Sequence, residues 1–353
     1  MGGSIPAVVL GGSGYVAGEL LRLLAVHPQF RVAAVMSDSQ PGTALAAAFP
    51  HLAATYPEQQ FASEDEVRRL LCETPRSALF CAAPHGVAAA LIDRLLGAAE
   101  RAATQPRVVD ISADFRYASA AHYQAVYGHP HGAPARLPQF TCAVPEHLEA
   151  LPTAHVAHPG CFATAILLAS VPLLANDLVT PSLFVAGTTG STGSGRRPVD
   201  GTHHPLRHGD MYSYSALIHR HVPEITACAR AASGVSAEFA FIPHSGPFAR
   251  GIHITLQAAL KRPLDTEKLL AIVHAFYAES PFVRVREQPP RIKDVATSNY
   301  AHLSATVVGK TLAVLCTIDN LNKGAAGGAI QWMNRIYGLP DTAGLTAPAP
   351  GWT

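Results

Sequence analysis

The start of the chain constrains the fold most, because a short apolar run is followed at once by a glycine-rich turn and a helical pattern. Residues 5–10 are apolar throughout, which is typical of a strand buried on both faces. Residues 19–26 carry apolar side chains at helical spacing. Glycines between such a strand and helix allow the backbone to approach a pyrophosphate at the helix N-terminus. The turn residues predicted to bind a dinucleotide are Gly11, Ser13, Gly14, Tyr15 and Val16.

Strands and helices continue to alternate beyond this turn. Strand patterns occur at residues 31–36, 78–83 and 107–112, and helical patterns occur at 64–73 and 87–99. This order predicts an α/β fold, with a doubly wound parallel sheet of the Rossmann type in the first part of the chain. Ligands bind at the carboxyl ends of strands in such sheets. The predicted cofactor site therefore also includes Ser37, Ser39, Pro84 and His85.

The residues after the second strand leave the choice between NAD and NADP open. Asp38 is an acid of the kind that binds the ribose 2′-hydroxyl of NAD, and its charge disfavours the extra phosphate of NADP. Ser37 and Ser39 carry hydroxyl groups that suit this phosphate, but no arginine follows them.

Composition excludes several classes of protein. A chain of 353 residues with 48% hydrophobic and 14% charged residues predicts one large or two smaller folded domains rather than disorder. A net charge of +1 without a basic block argues against nucleic acid as a partner. There is no apolar run of about 18 residues that would span a membrane. Six scattered cysteines and the lack of a signal-peptide pattern favour reduced thiols in the cytoplasm.

Cys161 lies where a helix is expected to begin. Pro159 and Gly160 end a short apolar run, and an uninterrupted helical pattern follows at residues 162–174. Unpaired backbone N–H groups and the helix dipole stabilise a thiolate in the first turn, so we expect the pKa of this thiol to fall. A small buried core cysteine is the alternative interpretation, and the other motifs favour a reactive thiol.

Two further stretches carry groups suited to binding and proton transfer. Residues 188–197 offer glycines, hydroxyl groups, backbone N–H groups and two arginines, which suit a phosphate or carboxylate; a flexible surface loop has the same composition. His219 and His221 precede Pro223, which is well placed in the first turn of a helix. A zinc site requires three or four converging ligands. No such set is recognisable by spacing, so we predict no metal.

The second half of the chain is rich in strands. Strand patterns occur at residues 182–187, 238–242, 251–260, 282–286, 300–308 and 311–318. One helix interrupts them at 266–278, and a final helix follows at 329–336. These elements predict an α+β domain with a mostly antiparallel sheet.

Together these features indicate one chemistry. A thiolate attacks an activated acyl group to form a thioester, and a nicotinamide hydride reduces the thioester to an aldehyde. This reaction requires a general acid and base, which is a task for histidine because its unperturbed pKa lies near neutrality.

Motifs along the whole chain carry a family resemblance. They are GGSGYVAGELLRLL at 11–24, DISADFR at 110–116, HPGCFATA at 158–165, GSTGSGR at 190–196, HRHVPEI at 219–225, FIPHSGPFARGI at 241–252 and DNLNKGAAGGA at 319–329. With these motifs the chain resembles the N-acetyl-γ-glutamyl-phosphate reductases, of the aspartate-semialdehyde and glyceraldehyde-3-phosphate dehydrogenase structural kind. The motifs at 219–225 and 319–329 are specific to this family and its closest relatives.

The resemblance implies roles in catalysis and substrate binding. Cys161 would be the nucleophile and His219 the general acid and base, its backbone held by a strand in the apolar run at 211–218. The residues that would hold the substrate are Arg220, His221 and Glu224, together with Arg116 at a substrate carboxylate.

The resemblance also implies roles around the acyl phosphate and the cofactor. Ser191 and Arg196 would face the acyl phosphate. Gly193 would face the cofactor, and Asn320 would face its nicotinamide. Members of the family use NADPH, so we expect NADP(H) here despite Asp38.

The implied organisation has three parts. Residues 1–156 would form the dinucleotide-binding domain, residues 157–318 the catalytic and dimerisation domain, and residues 319–353 a C-terminal helix that returns to the first domain. A catalytic domain of this kind self-associates through its sheet, so we expect a homodimer or homotetramer.

The implied activity is the reductive dephosphorylation of N-acetyl-L-glutamyl 5-phosphate to the 5-semialdehyde, a step of arginine biosynthesis. The nearest alternative is the related reductase of lysine biosynthesis, which acts on a carrier-linked aminoadipyl phosphate. Aspartate-semialdehyde dehydrogenase is a more distant alternative, and the motif HRHVPEI disfavours it. A non-catalytic nucleotide sensor is another, and the presence of Cys161 and His219 disfavours it.

Overall fold

The computed structural model describes residues 4–352, which belong to two compact units. Of the described residues, the first unit contains 4–142, 150–158 and 329–345. The second unit contains 143–149, 159–328 and 346–352.

Four short segments group differently from the division expected from the sequence. Residues 143–149, 319–328 and 346–352 belong to the second unit, although we placed them outside the catalytic domain, and residues 157–158 belong to the first unit, although we placed them inside it. Side-chain contacts explain this grouping, because His147 Nε2 lies 2.8 Å from Tyr277 Oη and Lys323 Nζ lies 5.6 Å from the ring centre of Phe282. The functional division of the chain into domains stays a prediction.

The first unit contains a sheet of six strands that are parallel throughout, in the order β2-β1-β3-β4-β6-β5. The strands are β1 Ile5–Leu10, β2 Phe30–Met36, β3 Ala78–Cys81, β4 Arg107–Asp110, β5 Phe140–Cys142 and β6 His155–Ala157. All four residues of β3 are buried, as expected for a central strand covered on both faces. The predicted α/β fold with a Rossmann-type parallel sheet is confirmed.

Five helices of the first unit connect these strands. They are α1 Tyr15–Leu24, α2 Leu45–Ala48, α3 Glu64–Glu73, α4 Ala88–Arg101 and α5 Ala120–Tyr127, with short 3₁₀ turns at Pro50–Leu52 and Pro134–Gln139. Helix α1 begins at Tyr15 rather than at residue 19, because Gly14 has the extended conformation of an N-cap residue. Helix α5 and strand β5 lie in a stretch where the sequence shows no regular pattern. Tyr123 is the buried residue of α5, so the helix has no apolar stripe to reveal it.

The second unit contains a mixed sheet of seven strands in the order β11-β12-β13-β10-β7-β9-β8. The strands are β7 Val179–Thr189, β8 Tyr212–Ser213, β9 Glu238–Ser245, β10 Ile252–Leu260, β11 Val283–Val285, β12 Ala301–Val308 and β13 Thr311–Ile318. Most neighbouring pairs are antiparallel, and the parallel pairs are β7 with β9 and β11 with β12. The predicted α+β arrangement with a mostly antiparallel sheet is confirmed.

The helices of the second unit are α6 Cys161–Ala175, α7 His204–Arg207, α8 Val222–Ser233 and α9 Thr266–Phe276. Short 3₁₀ turns occur at Pro145–His147, Ser191–Ser194, Asp200–Thr202 and Ile292–Asp294, and a π-helical turn at Asn322–Ala326. Helix α6 packs against β10, β13 and α8, and every residue from Phe162 to Leu174 is buried. A helix that is apolar all round is a core helix, so the core of this unit is built around α6.

The last helix, α10 Gly327–Ile336, follows the π-helical turn directly. Its residues from Ala329 onward group with the first unit, where Asn334 Oδ1 lies 3.0 Å from His27 Nε2. Within residues 4–352, no helix has both the length and the apolar character needed to cross a membrane.

Candidate active site

The glycine turn after β1 has a geometry that excludes larger residues. Gly11 has a φ of +76°, and a Cβ atom there would lie 2.4 Å from the backbone nitrogen of Ala83. Gly12 donates its N–H to the carbonyl oxygen of Met36 at 2.7 Å. Because neither glycine has a side chain, the turn lies close to β2 and to the residues after β3.

The start of α1 fits a pyrophosphate. Gly14 is the N-cap residue and has no side chain to bond the first turn of the helix. No atom lies within 4 Å of the position that a Cβ atom of Gly14 would take, apart from its chain neighbours. Backbone N–H groups at a helix N-terminus favour negative charge. The open space beside Gly14, Tyr15 and Val16 is therefore suited to a phosphate group.

The predicted ribose end of the cofactor site lies after β2. Ser37 is buried and its Oγ is 3.4 Å from that of exposed Ser39, with exposed Asp38 between them. The fold adds a residue that the sequence did not indicate, Arg94 of α4. The pKa of Arg94 is raised, mainly by its hydrogen bonds to Glu64 and in smaller part by the charge of Asp38. The charge of Asp38 thus acts on a guanidinium group, although no arginine is close to Asp38 in sequence.

Pro84 and His85 lie in an exposed turn after β3. A buried carboxylate fixes this turn, because Gly86 donates its N–H to Asp114 Oδ1 at 2.8 Å. The same oxygen accepts a bond of 2.9 Å from Tyr123 Oη. Sequence reasoning missed Asp114; its signal was an acid two residues after the strand pattern at 107–112.

Arg116 is half-buried and bonds to the backbone of the first unit. Its Nε donates to the carbonyl oxygen of His158 at 3.0 Å, and its Nη2 donates to that of Ile111 at 2.9 Å. These bonds fix the guanidinium group against two carbonyl groups. The predicted contact of Arg116 with a substrate carboxylate stays a prediction.

Cys161 is the first residue of α6, as the sequence predicted. Gly160 is the N-cap residue, and its N–H donates to Glu224 Oε1 at 2.8 Å. A Cβ atom on Gly160 would lie 2.4 Å from Nε2 of His221 and 2.8 Å from the carboxylate of Glu224. The start of α6 is therefore packed directly against side chains at the start of α8.

A cavity of about 590 Å³ in the second unit brings several predicted residues together. Its walls include Cys161, Gly193, His219, Arg220 and His221. Cys161 is partly exposed there, and Arg220 is exposed. A thiol, two imidazoles and a guanidinium group thus face one space, as a nucleophilic reaction on an anionic substrate requires.

His219 is 92% buried, its exposed fraction being 8%. Burial, with a smaller contribution from Arg220, lowers its pKa to about 4. Its Nδ1 accepts the N–H of His221 at 3.2 Å, which assigns the proton of the neutral ring to Nε2. The sequence led us to expect an ordinary pKa near neutrality, and this expectation is wrong because the ring lies among Phe162, Phe241 and Tyr214.

The backbone around His219 also differs from the expectation. We predicted that a strand at 211–218 holds this residue, but strand β8 ends at Ser213. Ser215 and Leu217 have positive φ angles of 44° and 65°, so the chain leaves the strand in tight turns. Leu217 donates its N–H to the carbonyl oxygen of Phe241 at 2.9 Å, which attaches the segment to β9.

Tyr214 is a site residue that sequence reasoning missed. It lines the cavity, and its ring centre lies 5.7 Å from that of His219. Burial, with a smaller contribution from the charge of Cys161, raises the pKa of Tyr214, so its hydroxyl group stays protonated. In the sequence, the position of Tyr214 shortly before the two histidines was the one indication of a role at the site.

The loop at 190–196 uses its backbone donors internally. Gly190, Ser191 and Thr192 donate N–H groups to the carbonyl oxygens of residues 251, 248 and 249, and Gly193 and Gly195 donate within the loop. These five N–H groups are therefore already bonded within the protein, and a role of the loop towards the acyl phosphate, which stays a prediction, would depend on its side chains. The loop is a fixed 3₁₀ turn rather than a free anion-binding nest.

The structure separates the predicted loop residues. Gly193 and Ser194 line the cavity that contains Cys161. Ser191 lines a different cavity, beside His204 and Arg207, and Arg196 is exposed.

Asn320 and Glu224 lie outside the walls of the Cys161 cavity. Asn320 Oδ1 accepts the N–H of Gly251 at 2.8 Å, and its Nδ2 donates to Thr192 Oγ1 at 3.0 Å. Glu224 is fully buried beneath Gly160. The bonds of both side chains hold backbone segments that form the site.

The sequence matches two described protein families. Residues 6–140 match "Semialdehyde dehydrogenase, NAD binding domain", and residues 161–320 match "Semialdehyde dehydrogenase, dimerisation domain". The N-acetyl-gamma-glutamyl-phosphate reductase of Pseudomonas aeruginosa is 39% identical over 97% of this chain and 98% of its own length. The protein of the same name from Nitrosococcus oceani is 38% identical over similar shares, 97% and 98%.

The chain belongs to the N-acetyl-gamma-glutamyl-phosphate reductase family.

Solved structures show the same fold at low identity. Aspartate semialdehyde dehydrogenase II of Vibrio cholerae has a TM-score of 0.69 at 12% identity, covering 95% of this chain and 99% of that one. A probable aspartate-semialdehyde dehydrogenase of Pseudomonas aeruginosa has a TM-score of 0.62 at 18% identity, covering 95% and 98%. At these identities the likeness concerns the fold alone.

Family membership decides between the alternatives left by the sequence. The curated relatives carry the name of the reductase that acts on N-acetyl-gamma-glutamyl phosphate, which supports the arginine-pathway interpretation over the lysine-pathway one. The protein is an oxidoreductase of the semialdehyde dehydrogenase type, and its first unit is a nicotinamide-cofactor domain.

Proposed function

We propose that this protein catalyses the NADPH-dependent conversion of N-acetyl-L-glutamyl 5-phosphate to N-acetyl-L-glutamate 5-semialdehyde and phosphate. The observation that carries the proposal is Cys161 at the start of α6, opening onto a cavity that His219 and Arg220 also line. The 39% identity to a reductase of this name over 97% of the chain supports the same substrate.

Cys161 supplies the nucleophile. Its thiolate attacks the acyl carbon, a C–S bond forms, and the C–O bond to the phosphate breaks so that phosphate leaves with the electron pair. The first turn of α6 and the exposed guanidinium group of Arg220 offer positive potential for the charges in this step. The product is a thioester on Cys161.

NADPH, when bound, supplies the hydride that reduces this thioester. His219 acts on the oxygen that gains charge during the reduction. The acceptor bond at its Nδ1 leaves the proton on Nε2, so the ring is a donor in its neutral form. The C–S bond then breaks, which releases the semialdehyde and the thiolate of Cys161.

The substrate-holding roles divide between exposed and buried residues. Arg220 is exposed at the cavity and is suited to an anionic group of the substrate. His221 lines the same cavity and is packed against Gly160. Glu224 supports the backbone of Gly160, so we assign it to positioning the start of α6 rather than to contacting substrate.

The activity is tested most easily in reverse. Semialdehyde, phosphate and NADP should give phosphate-dependent formation of NADPH, measured by nicotinamide absorbance. Aspartate semialdehyde and a carrier-linked aminoadipate semialdehyde serve as competing substrates, and Cys161→Ser is the inactive control. A faster rate with either competitor, or no phosphate-dependent signal with NADP or NAD, would refute the proposal.

His219 and His221 are expected to respond differently to substitution. His219→Ala should lower kcat by at least about a hundredfold, because an acid group at the reacting oxygen is lost. His221→Ala should mainly raise KM, because it removes a binding contact. The opposite pattern in steady-state kinetics would exchange the two roles.

The pH dependence of the His219→Ala effect follows from the lowered pKa. A ring with a pKa of about 4 keeps the same neutral form from weakly acidic to neutral pH, so its contribution stays constant over that range and changes only as the pH falls towards 4. The ratio of wild-type to variant kcat should therefore be constant between about pH 6 and pH 8. A ratio that falls several-fold between about pH 7 and pH 6 would indicate an ordinary histidine pKa.

We propose NADP(H) as the cofactor. The hydroxyl groups of Ser37 and Ser39, and the positive charge of Arg94 on which Asp38 acts, support a 2′-phosphate at this edge of the first unit. Removing the repelling charge with Asp38→Asn should raise kcat/KM for NADPH over that for NADH by on the order of tenfold, or ~1.4 kcal/mol. Asp65→Asn, at another exposed acid, is the matched control. A wild-type preference for NADH would contradict the assignment.

We also propose a homo-oligomer in the cytoplasm, a dimer or a tetramer. The matched family is described as a dimerisation domain, and the outer face of the sheet leaves Phe184 59% exposed and Ile242 37% exposed. Phe184→Asp should shift the mass in light scattering towards the monomer, whereas Val308→Asp, at the turn between β12 and β13, should not. A monomeric wild type at micromolar concentration would refute the proposal.

A further inference from the structure

A fully buried ion pair lies behind the start of α6. Lys323 Nζ and Glu146 Oε1 are 2.5 Å apart, and both side chains have no exposed surface. The desolvation of two charges costs about as much as their attraction returns, so such a pair is a poor source of stability. Apolar residues of similar volume would serve a purely structural role at least as well.

One partner belongs to the segment that touches the nucleophile. Lys323 lies in the π-helical turn Asn322–Ala326, a geometry that is rare and often found at functional sites. The next residue, Gly324, is so close to the nucleophile that a Cβ atom on it would lie 2.7 Å from Cys161 Cβ and 3.0 Å from Cys161 Cα. The position of this turn therefore fixes the space available to Cys161.

The other partner, Glu146, belongs to a turn that Tyr277 links to the middle of α6. His147, next to Glu146, has its Nε2 2.8 Å from Tyr277 Oη. Tyr277 Oη donates to the carbonyl oxygen of Leu168 at 2.8 Å. In an α-helix this carbonyl would accept from residue 172, but Pro172 has no N–H. Tyr277 replaces the missing bond and ties the turn to the helix.

We infer that the turn Pro145–His147 is a brace that positions Cys161, with Glu146 acting through Lys323 and Gly324, and His147 acting through Tyr277. The brace is linked to α6 at two levels, through Lys323 and Gly324 at Cys161 and through Tyr277 at Leu168. Glu146 and Lys323 are positioning residues, because neither is among the residues that line the Cys161 cavity. Their role in the reaction rests on the proposed function, but their effect on the thiol does not.

The test replaces both charges at once, because a single substitution leaves an unpaired buried charge that unfolds the protein for trivial reasons. The double variant Glu146→Leu with Lys323→Met keeps the volume and removes both charges. The matched control is Asp341→Leu with Arg335→Met, which removes a partly buried pair of the first unit. Each protein is measured by thermal unfolding, steady-state kinetics and the pH profile of Cys161 alkylation by iodoacetamide.

The brace predicts a separation between stability and reactivity. The double variant should keep the Tm of the wild type within a few degrees. Its kcat should fall at least about tenfold, because misplacing a reacting group by an ångström has an effect of this size, while KM stays within about twofold. The midpoint of its alkylation profile should move to higher pH. The control pair should change neither kcat nor the profile.

A second variant keeps the inference testable if the double variant fails to fold. Tyr277→Phe keeps the ring and removes the hydroxyl group that bonds both His147 and Leu168. It should lower kcat several-fold at unchanged KM. Wild-type kcat and an unchanged alkylation profile in a folded variant would overturn the brace. The alkylation measurement needs no substrate. Even if the protein lacks the proposed activity, the alkylation profile of the double variant should therefore be shifted relative to that of the wild type if the brace is correct.

Discussion

The contact of Gly160 with His221 and Glu224 joins the two elements on which the active site of the second unit depends. It ties the first turn of α6, which carries the thiol, to the first turn of α8, which follows the two histidines. The absence of a Cβ atom at Gly160 allows an approach that any side chain would prevent, since His221 Nε2 lies 2.4 Å from the place of that atom. The bond from Gly160 N–H to Glu224 then fixes the approach at 2.8 Å. Nucleophile and histidines are thereby positioned as one rigid group.

Several buried polar side chains in this unit hold backbone segments in place. Asp319 is fully buried and accepts the N–H groups of Leu321 and Asn322, which fixes the start of the π-helical turn. A buried acceptor left without its donor costs stability, so each of these residues has one geometry. Asn320, which we predicted to face the nicotinamide, is used in the same way. A motif shared with a family thus marks residues that support a site as well as residues that touch ligands.

The sequence allowed correct predictions where the signal was local. A continuous apolar strand with glycines after it indicated β1, its turn and α1, and Pro-Gly before a long apolar helix placed Cys161 at a helix start. The failures depend on distant partners. Residues 248–251 accept three of the backbone N–H groups of the 190–196 loop, and Glu146 and Lys323 are 177 positions apart. The burial that lowers the pKa of His219 likewise comes from rings elsewhere in the chain.

The central claim is that Cys161 forms a thioester with the acyl group of the substrate, and trapping this intermediate tests it most directly. The protein is incubated with N-acetyl-L-glutamyl 5-phosphate without a nicotinamide cofactor, quenched in acid and digested for mass spectrometry. We predict an acyl adduct on the peptide that contains Cys161, with stoichiometric release of phosphate and loss of the adduct when NADPH is added. An active enzyme that forms no adduct, or forms it on another cysteine, would contradict the account.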